Sequence, residues 1–407
     1  MRKVVKVSGG RSSALMLRLI LPELDAKNGD LIVFNNTSAE HSATYEFLKR
    51  LTDEAHAAAV PFFWLEFATY EAEDANGDFY RKPGFKLVNQ RPYHRKNPHG
   101  YRSGGEVFEE MLSHLAAVPN QHTRFCTTHL KIFTTNAFID NYFHTMNTGR
   151  SGDEQFNNRI DKAMVMRRHK KYGGSVPSEL LMKKKAYVLN CAPFLPDQNH
   201  AEYSDHIGGT MPGCGSLHIA GNKEPPKWTP PSIYGENATS YTSFIGLRAD
   251  EMRRLAKMKE RAATASTNTS SFFNQPPGEH IRAPLIEKGI DRAQVNQYWD
   301  GRDDDLIIPS TYSNCVYCFL KGKKQLAALA NAPQGRENTP EHIDWWIAME
   351  KKYSKDMLAE GKTVKSNNRF ITLFGASPEL IYPIIKKSPP PDNTEQDQLS
   401  LPCHCTD

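Results

Sequence analysis

Nowhere in the 407 residues does an apolar run approach the ~20 residues that a membrane-crossing helix requires. The first residues carry no basic-then-apolar leader, so the cytoplasm is the expected compartment and no membrane partner is expected. Cysteine is sparse. Seven residues (Cys126, Cys191, Cys214, Cys315, Cys318, Cys403 and Cys405) in so long a chain exclude a disulfide framework. No Gly-Lys-Ser/Thr closes a glycine-rich loop, which excludes a Walker A site. Charge of one sign is not in large excess: 51 Lys and Arg face 46 Asp and Glu, and a net +5 does not by itself signify a nucleic-acid binder. Internal repeats are missing too. What remains is 39% hydrophobic, with a mean hydropathy of −0.59: a core and plenty of loop, enough chain for about two or three domains.

The first third alternates between strand and helix signals. Val4, Val5 and Val7 are β-branched and alternate with lysine, and "SGGRSS" leads into a helix with apolar Leu15, Leu17, Leu19 and Ile20, which Ser12 and Ser13 are placed to cap. A second strand is predicted over 30–38, a helix over 44–59 and a third strand over 60–67. Such alternation predicts an α/β fold, a parallel sheet with helices on both faces. Residues 68–118 read as a charged, loop-rich insertion and 148–240 as a second one. Segment 122–143 is helical, 241–258 a strand followed by a helix, and 264–280 a loop. From 261 to 387 the chain is expected to be mostly helical, and 388–407 a flexible tail ending in "LPCHCTD". The tryptophans of "WWIAMEKKY" have helical spacing and read as packing rather than as base-stacking residues.

Gly9 and Gly10 sit where a strand turns into a helix. Glycine there allows positive φ and close approach to bare backbone, and the helix macrodipole favours a negative group. The turn is therefore a candidate anion site, with an ordinary βα connection as its plain alternative. Cys315-x-x-Cys318 and Cys403-x-Cys405 have metal or redox spacing, whereas Cys191 and Cys214 read as buried thiols. Completed by Cys403 and Cys405, the first pair would make a four-sulfur zinc site. A basic stretch within 162–185 can contact a phosphate backbone, although a basic run in a polar loop is more often a solvated face.

Six stretches in order, "SGGRSS", "FNNTSAEHSATYEFL", "RFCTTHLK", "IGLRADEMRR", "APLIEKGIDRAQVNQYW" and "NCVYCFLKGKKQL", resemble the phosphoadenosine phosphosulfate (PAPS) reductase family. That family lies within the PP-loop ATP pyrophosphatase and adenine nucleotide α-hydrolase superfamily. The resemblance covers about half the chain: 1–67, 122–143, 241–258 and 281–325. It implies a Rossmann-like, HUP-type sheet within 1–260. Ser8, Gly9, Gly10, Arg11, Ser12 and Ser13 would cradle the phosphates of ATP or of a sulfonucleotide (PAPS or adenosine phosphosulfate), with Asn36, Thr37 and Glu40 beside them. Arg124, Lys131, Arg248 and Arg253 would contact phosphate or sulfate oxygens. Cys126, Cys315 and Cys318 would hold a [4Fe–4S] cluster, with zinc as the alternative. Ser12 departs from the family's Ser-Gly-Gly-x-Asp-Ser loop, because it stands where the Asp would be.

Two reactions fit the resemblance. In one, tail cysteine Cys403 or Cys405 attacks the sulfonucleotide and a thiol reductant protein completes the reduction. In the other, ATP, with magnesium, activates a substrate and sulfur displaces AMP, as in tRNA thiolation or DNA phosphorothioation. The lost loop Asp leaves a third reading, a nucleotide-binding protein without catalysis.

Overall fold

The computed structural model describes residues 1–73, 79–95, 97, 100–115, 117–120, 123–148, 233–234, 238–264, 272–308, 315–321, 323–332, 335–356 and 370–371. Its centre is a seven-stranded, mostly parallel sheet of α/β type. Strand β1 (Arg2–Val7) is an inner strand, paired in parallel with β2 (Leu31–Asn36) on one side and β6 (Tyr241–Ile245) on the other. β3 (Phe62–Glu73) extends the sheet beyond β2, and β7 (Glu279–Arg282) extends it beyond β6, both in parallel. The chain thus steps outward from β1 to β3, then returns to the far side of β1. In open sheets of this kind the crevice at that reversal, beyond the strand carboxyl ends, is where ligands are held.

Alternating residues of β1 supply both faces: Val4 joins one buried cluster, Val5 and Val7 the other. Helices α1 (Arg11–Ile20) and α2 (Ser42–Ala57) cover the second face. The first face is covered by α3 (Glu106–Leu115) and by a long helical run. That run starts as α4 (Phe125–Thr127), passes through a π-turn over Thr128–Phe133, and continues as α5 (Thr134–Thr148).

Three expectations are corrected. Residues 68–118 are not a loop-rich insertion. β3 runs on to Glu73 and pairs antiparallel with β4 (Phe79–Pro92), short β5 (Gly100–Tyr101) joins β4, and α3 follows. The charges in this stretch mask the pattern, but Phe85, Leu87, Val107, Phe108, Met111 and Leu112 are all buried. The 264–280 loop ends early, because Glu279 already belongs to β7. Ser12 and Ser13 do not cap α1: Gly10 is the cap residue, and no side chain caps the turn.

After β6, α6 (Met252–Thr264) leads to β7, and then α7 (Pro284–Glu287) and α8 (Arg292–Trp299) follow. The later helices are divided between the two faces of the sheet. Val295 and Trp299 of α8 pack with α1, whereas α9 (Lys323–Asn331) and α10 (Ile343–Tyr353) pack on the α3–α5 face. Trp345 and Trp346 are packing residues, as their spacing suggested, with the Trp346 ring 5.1 Å from that of Phe108. The loop after α8 is tied to α1 by charge. Arg11 binds Asp305 with both carboxylate oxygens (2.7 and 2.5 Å), and Arg18 bridges Glu54 and Asp304.

Gly246, just past β6, lets the first turn of α1 approach: a Cβ there would lie 2.7 Å from the Ser13 Cα. Backbone cannot swing aside like a side-chain tip, so Gly246→Ala should cost about 1–3 kcal/mol. Chemical denaturation is the measurement; unchanged stability would contradict this packing.

Candidate functional site

The turn after β1 is built by its own hydroxyls. Ser13 Oγ accepts from the Ser8 amide (3.2 Å) and donates to the Gly10 carbonyl (2.9 Å), drawing the loop into a tight hook. Gly9 has φ +77°, and a Cβ on it would meet Thr44 Cγ2 at 2.6 Å. Two separate demands, conformation and the approach of α2, therefore require glycine. The orphan amides that begin every helix here have no side-chain cap, which is the condition for binding an anion there. Arg248 reaches Ser12 Oγ through Nη1 (3.3 Å) while pairing with Asp250 and Glu251, so this guanidinium borders the turn.

Beside the turn, at the carboxyl ends of β1, β2 and β6, lies a crevice of about 120 Å³. Ser8, Asn35, Glu40 and Lys131 line it together with apolar Val7, Ile245 and Ile281. Lys6 and Glu279, also in the lining, form an ion pair at 2.5 Å, and Ser243 donates to the same carboxylate oxygen.

The "NNTSAE" loop is packed with internal bonds. Asn36 spends its amide on Glu66 (2.8 Å) and the Arg102 carbonyl (2.7 Å), and its oxygen accepts from the Ser38 amide and the Tyr45 hydroxyl. Being fully engaged and buried, Asn36 shapes the loop; it does not line the crevice. Ser38 holds φ +58° and accepts from the Val107 and Phe108 amides, so it ties this loop to the start of α3. Thr37 donates to Glu40 Oε1 (2.7 Å), while Tyr45 and the Ala39 amide bond its other oxygen. Burial raises the Glu40 carboxyl above its ordinary range, and only part of that is offset by the Thr37 bond and the Lys131 charge.

The thiols meet on the other side of Lys131. Cys126, Cys315 and Cys318 line one small cavity of about 20 Å³, shared with Thr37, Leu130, Lys131 and Trp346. None of the three is in a disulfide. Two contacts fix the Cys-x-x-Cys loop: the Val316 amide donates to the Ala39 carbonyl (3.3 Å), and buried Lys321 donates to the Val316 carbonyl (2.6 Å). Cys315 Sγ lies 4.0 Å from Thr37 Oγ1. The cavity has room for one water-sized body. Among the described residues, no group of three or more His, Cys, Asp or Glu side chains has the closeness of a formed metal site.

The expected residues are thus only partly gathered. Ser8, Glu40 and Lys131 line the crevice, and Thr37, Lys131 and the three thiols line the second cavity. Arg11 pairs with Asp305 and Asn36 bonds within its own loop, and neither lines the crevice. Arg124 and exposed Arg253 line neither cavity. Cys191, Cys214, Cys403, Cys405 and the basic 162–185 stretch lie outside the described residues. Sequence reasoning missed Lys6, Asn35, Thr135, Asn136, Gln275 and Glu279 in the crevice. A π-turn is the local signal that one helix is serving a site here, and it cannot be seen in residue spacing. Compared with family models, with curated proteins and with solved structures, the chain shows no match.

A raised acid binds its proton more tightly in the folded state. Its stabilising contribution is complete below the unfolded carboxyl range and is lost as pH rises through the folded value. Glu40→Gln cannot ionise, so its melting temperature relative to the native chain should climb between pH 4 and pH 8, whatever fixed offset the amide adds. Thermal melts across that range check this; a flat difference would show that Glu40 titrates normally.

Proposed function

We propose that the chain is an enzyme of sulfur chemistry on an adenine nucleotide, of the PAPS reductase kind, built on a Rossmann-like, HUP-type sheet. The observation that carries the proposal is the meeting of three thiols, distant in sequence, in a cavity that shares Lys131 with the crevice beside the Ser-Gly-Gly turn. Phosphates would sit at the uncapped start of α1, with Arg248 at its edge. Lys131, in the lining of both cavities, would neutralise charge on the oxygens next to the reacting sulfur.

Three thiolates are the right donor type for a soft metal or an iron–sulfur cluster. A zinc ion or iron–sulfur group held there by Cys126, Cys315 and Cys318 would supply a soft site for sulfur. Magnesium would accompany ATP. The sulfonucleotide reading needs a thiol from the tail, Cys403 or Cys405, and a reductant protein. The transfer reading needs an acceptor, for which the basic 162–185 stretch suggests nucleic acid. The Ser-Gly-Gly turn, kept here with Ser12 in place of the Asp, favours ATP as the nucleotide and so favours transfer over reduction.

Anaerobic purification with metal analysis, followed by separate incubation with ATP and with PAPS, tests this. Bound iron or zinc, together with pyrophosphate from ATP or sulfite from PAPS, is the expected outcome. Cys315→Ser and Cys318→Ser should each lower bound metal at least tenfold. Full metal retention in both variants would defeat the metal assignment, and a protein that releases neither product would leave the non-catalytic reading standing.

A further inference from the structure

The edge ribbon of the sheet carries charge of one sign. Between Asp78 and Glu106 the sequence holds no Asp or Glu, but seven Lys and Arg, three Tyr and two His. This stretch forms β4, β5 and the turn between them, at one end of the strand order. Exposed Arg91 and Arg95 flank Tyr93, which is 47% exposed. Arg336 joins them by donating to the Ser103 carbonyl (3.0 Å). The side chains of Arg102 and Arg336 are 30% and 50% exposed, whereas the carboxylates they pair with, Glu66 and Glu341, are buried. The positive partners face water and the negative ones do not.

The described residues of this turn are held firmly. Asn97 Oδ1 accepts from Asn89 Nδ2 (2.9 Å), and its amide nitrogen donates to the Pro92 carbonyl (3.1 Å). The Tyr93 amide donates to the Tyr101 carbonyl (2.8 Å), and a Cβ on Gly100 would strike the Arg91 carbonyl oxygen at 2.6 Å. Arg102 braces the Tyr93 ring, its guanidinium carbon 4.8 Å from the ring centroid, and is itself fixed by Glu66 (3.2 Å). An exposed ring already held in place gives up little freedom when something stacks on it. Charge on a sheet edge also deters edge-to-edge pairing. Lysine and arginine alone would serve that end, which leaves a braced, exposed tyrosine between two arginines unexplained.

We propose that the β4–β5 turn is a docking surface for single-stranded nucleic acid, with Tyr93 stacking on an unpaired base and Arg91 and Arg95 contacting the flanking phosphates. Every base has a π-face, and cations that follow the backbone beside an aromatic platform are the usual build of a single-strand site. A duplex keeps its bases stacked on one another, out of reach of a tyrosine on a turn, so the ring selects single strands. The surface needs no ATP, and it therefore stands or falls apart from the nucleotide reading of the crevice.

The test is fluorescence anisotropy of the full-length protein with short labelled RNA and DNA single strands and with their duplexes, over a salt series and without ATP. The two single strands separate RNA from DNA as the ligand. Single strands should bind more tightly than duplexes, with affinity falling as salt rises. Tyr93→Ala should weaken single-strand binding about tenfold, while Tyr93→Phe, which keeps the ring, should retain it. Replacing Arg91 and Arg95 together by Ala should lower the slope of log affinity against log salt by about one to two. Circular dichroism confirms that each variant is folded, and retention with Phe is a readout that general loosening would not give. Absence of single-strand binding overturns the proposal. So does binding that Tyr93→Ala leaves unmoved, which would place the contact elsewhere on the chain, and so does equal binding of the duplex. Tighter binding to phosphatidylserine vesicles, lost in the same variants, would assign the surface to a membrane instead.

Discussion

Two missing side chains determine where everything else can sit. Gly9 and Gly246 flank the hook after β1, one against α2 and the other at the end of β6, and both contacts would be under 3 Å with any larger residue. Protein interiors are too densely packed to absorb such a clash locally. The hook is thereby pinned at the reversal of strand order, beside the crevice lined by β1, β2, β6 and β7. The amides of the first α1 turn have a fixed direction for the same reason.

A single helical segment then joins the two cavities. Leu130 and Lys131 line the thiol side, while Lys131, Ile132, Thr135 and Asn136 line the crevice. An ordinary α-helix repeats its faces every 3.6 residues, and the π-turn over Thr128–Phe133 widens that repeat, so one stretch presents side chains to both. Glu40 sits close by, tied to Thr37 and Tyr45, and Thr37 approaches Cys315. The polar groups of the two cavities form a neighbourhood with Lys131 at its centre.

The inner strands were legible because parallel, doubly covered strands are rich in apolar residues: Val4, Val5 and Val7, then the runs Leu31–Phe34 and Phe62–Leu65. The β3–β4 ribbon was not legible. Its charges suggested a loop, although an Asn-Gly pair, Asn76-Gly77, stands between the two strands and is a hairpin signal. Of the residues singled out at the hook and among the thiols, Ser8 lines the crevice and Cys126, Cys315 and Cys318 line the second cavity. The partners of Arg11 and Asn36, here Asp305 and Glu66, were not legible, because a motif position gives no information about the partner a side chain finds. Asn35 and Gln275 could not have been singled out, since lining a cavity is a property of three-dimensional surroundings and not of residue type.

The thiol cavity has walls from both halves of the polypeptide: Phe108, Cys126 and Leu130 from the first, Cys315, Cys318 and Trp346 from the second. During synthesis from the N-terminus, the early wall emerges long before its cover. Until Trp346 leaves the ribosome, Phe108 and Leu130 have no lid, and Cys126 waits beside an apolar surface open to water. Loading of any soft ligand into that space would therefore be a late event in the life of the nascent chain, because a polypeptide cut short after α6 lacks the second set of walls.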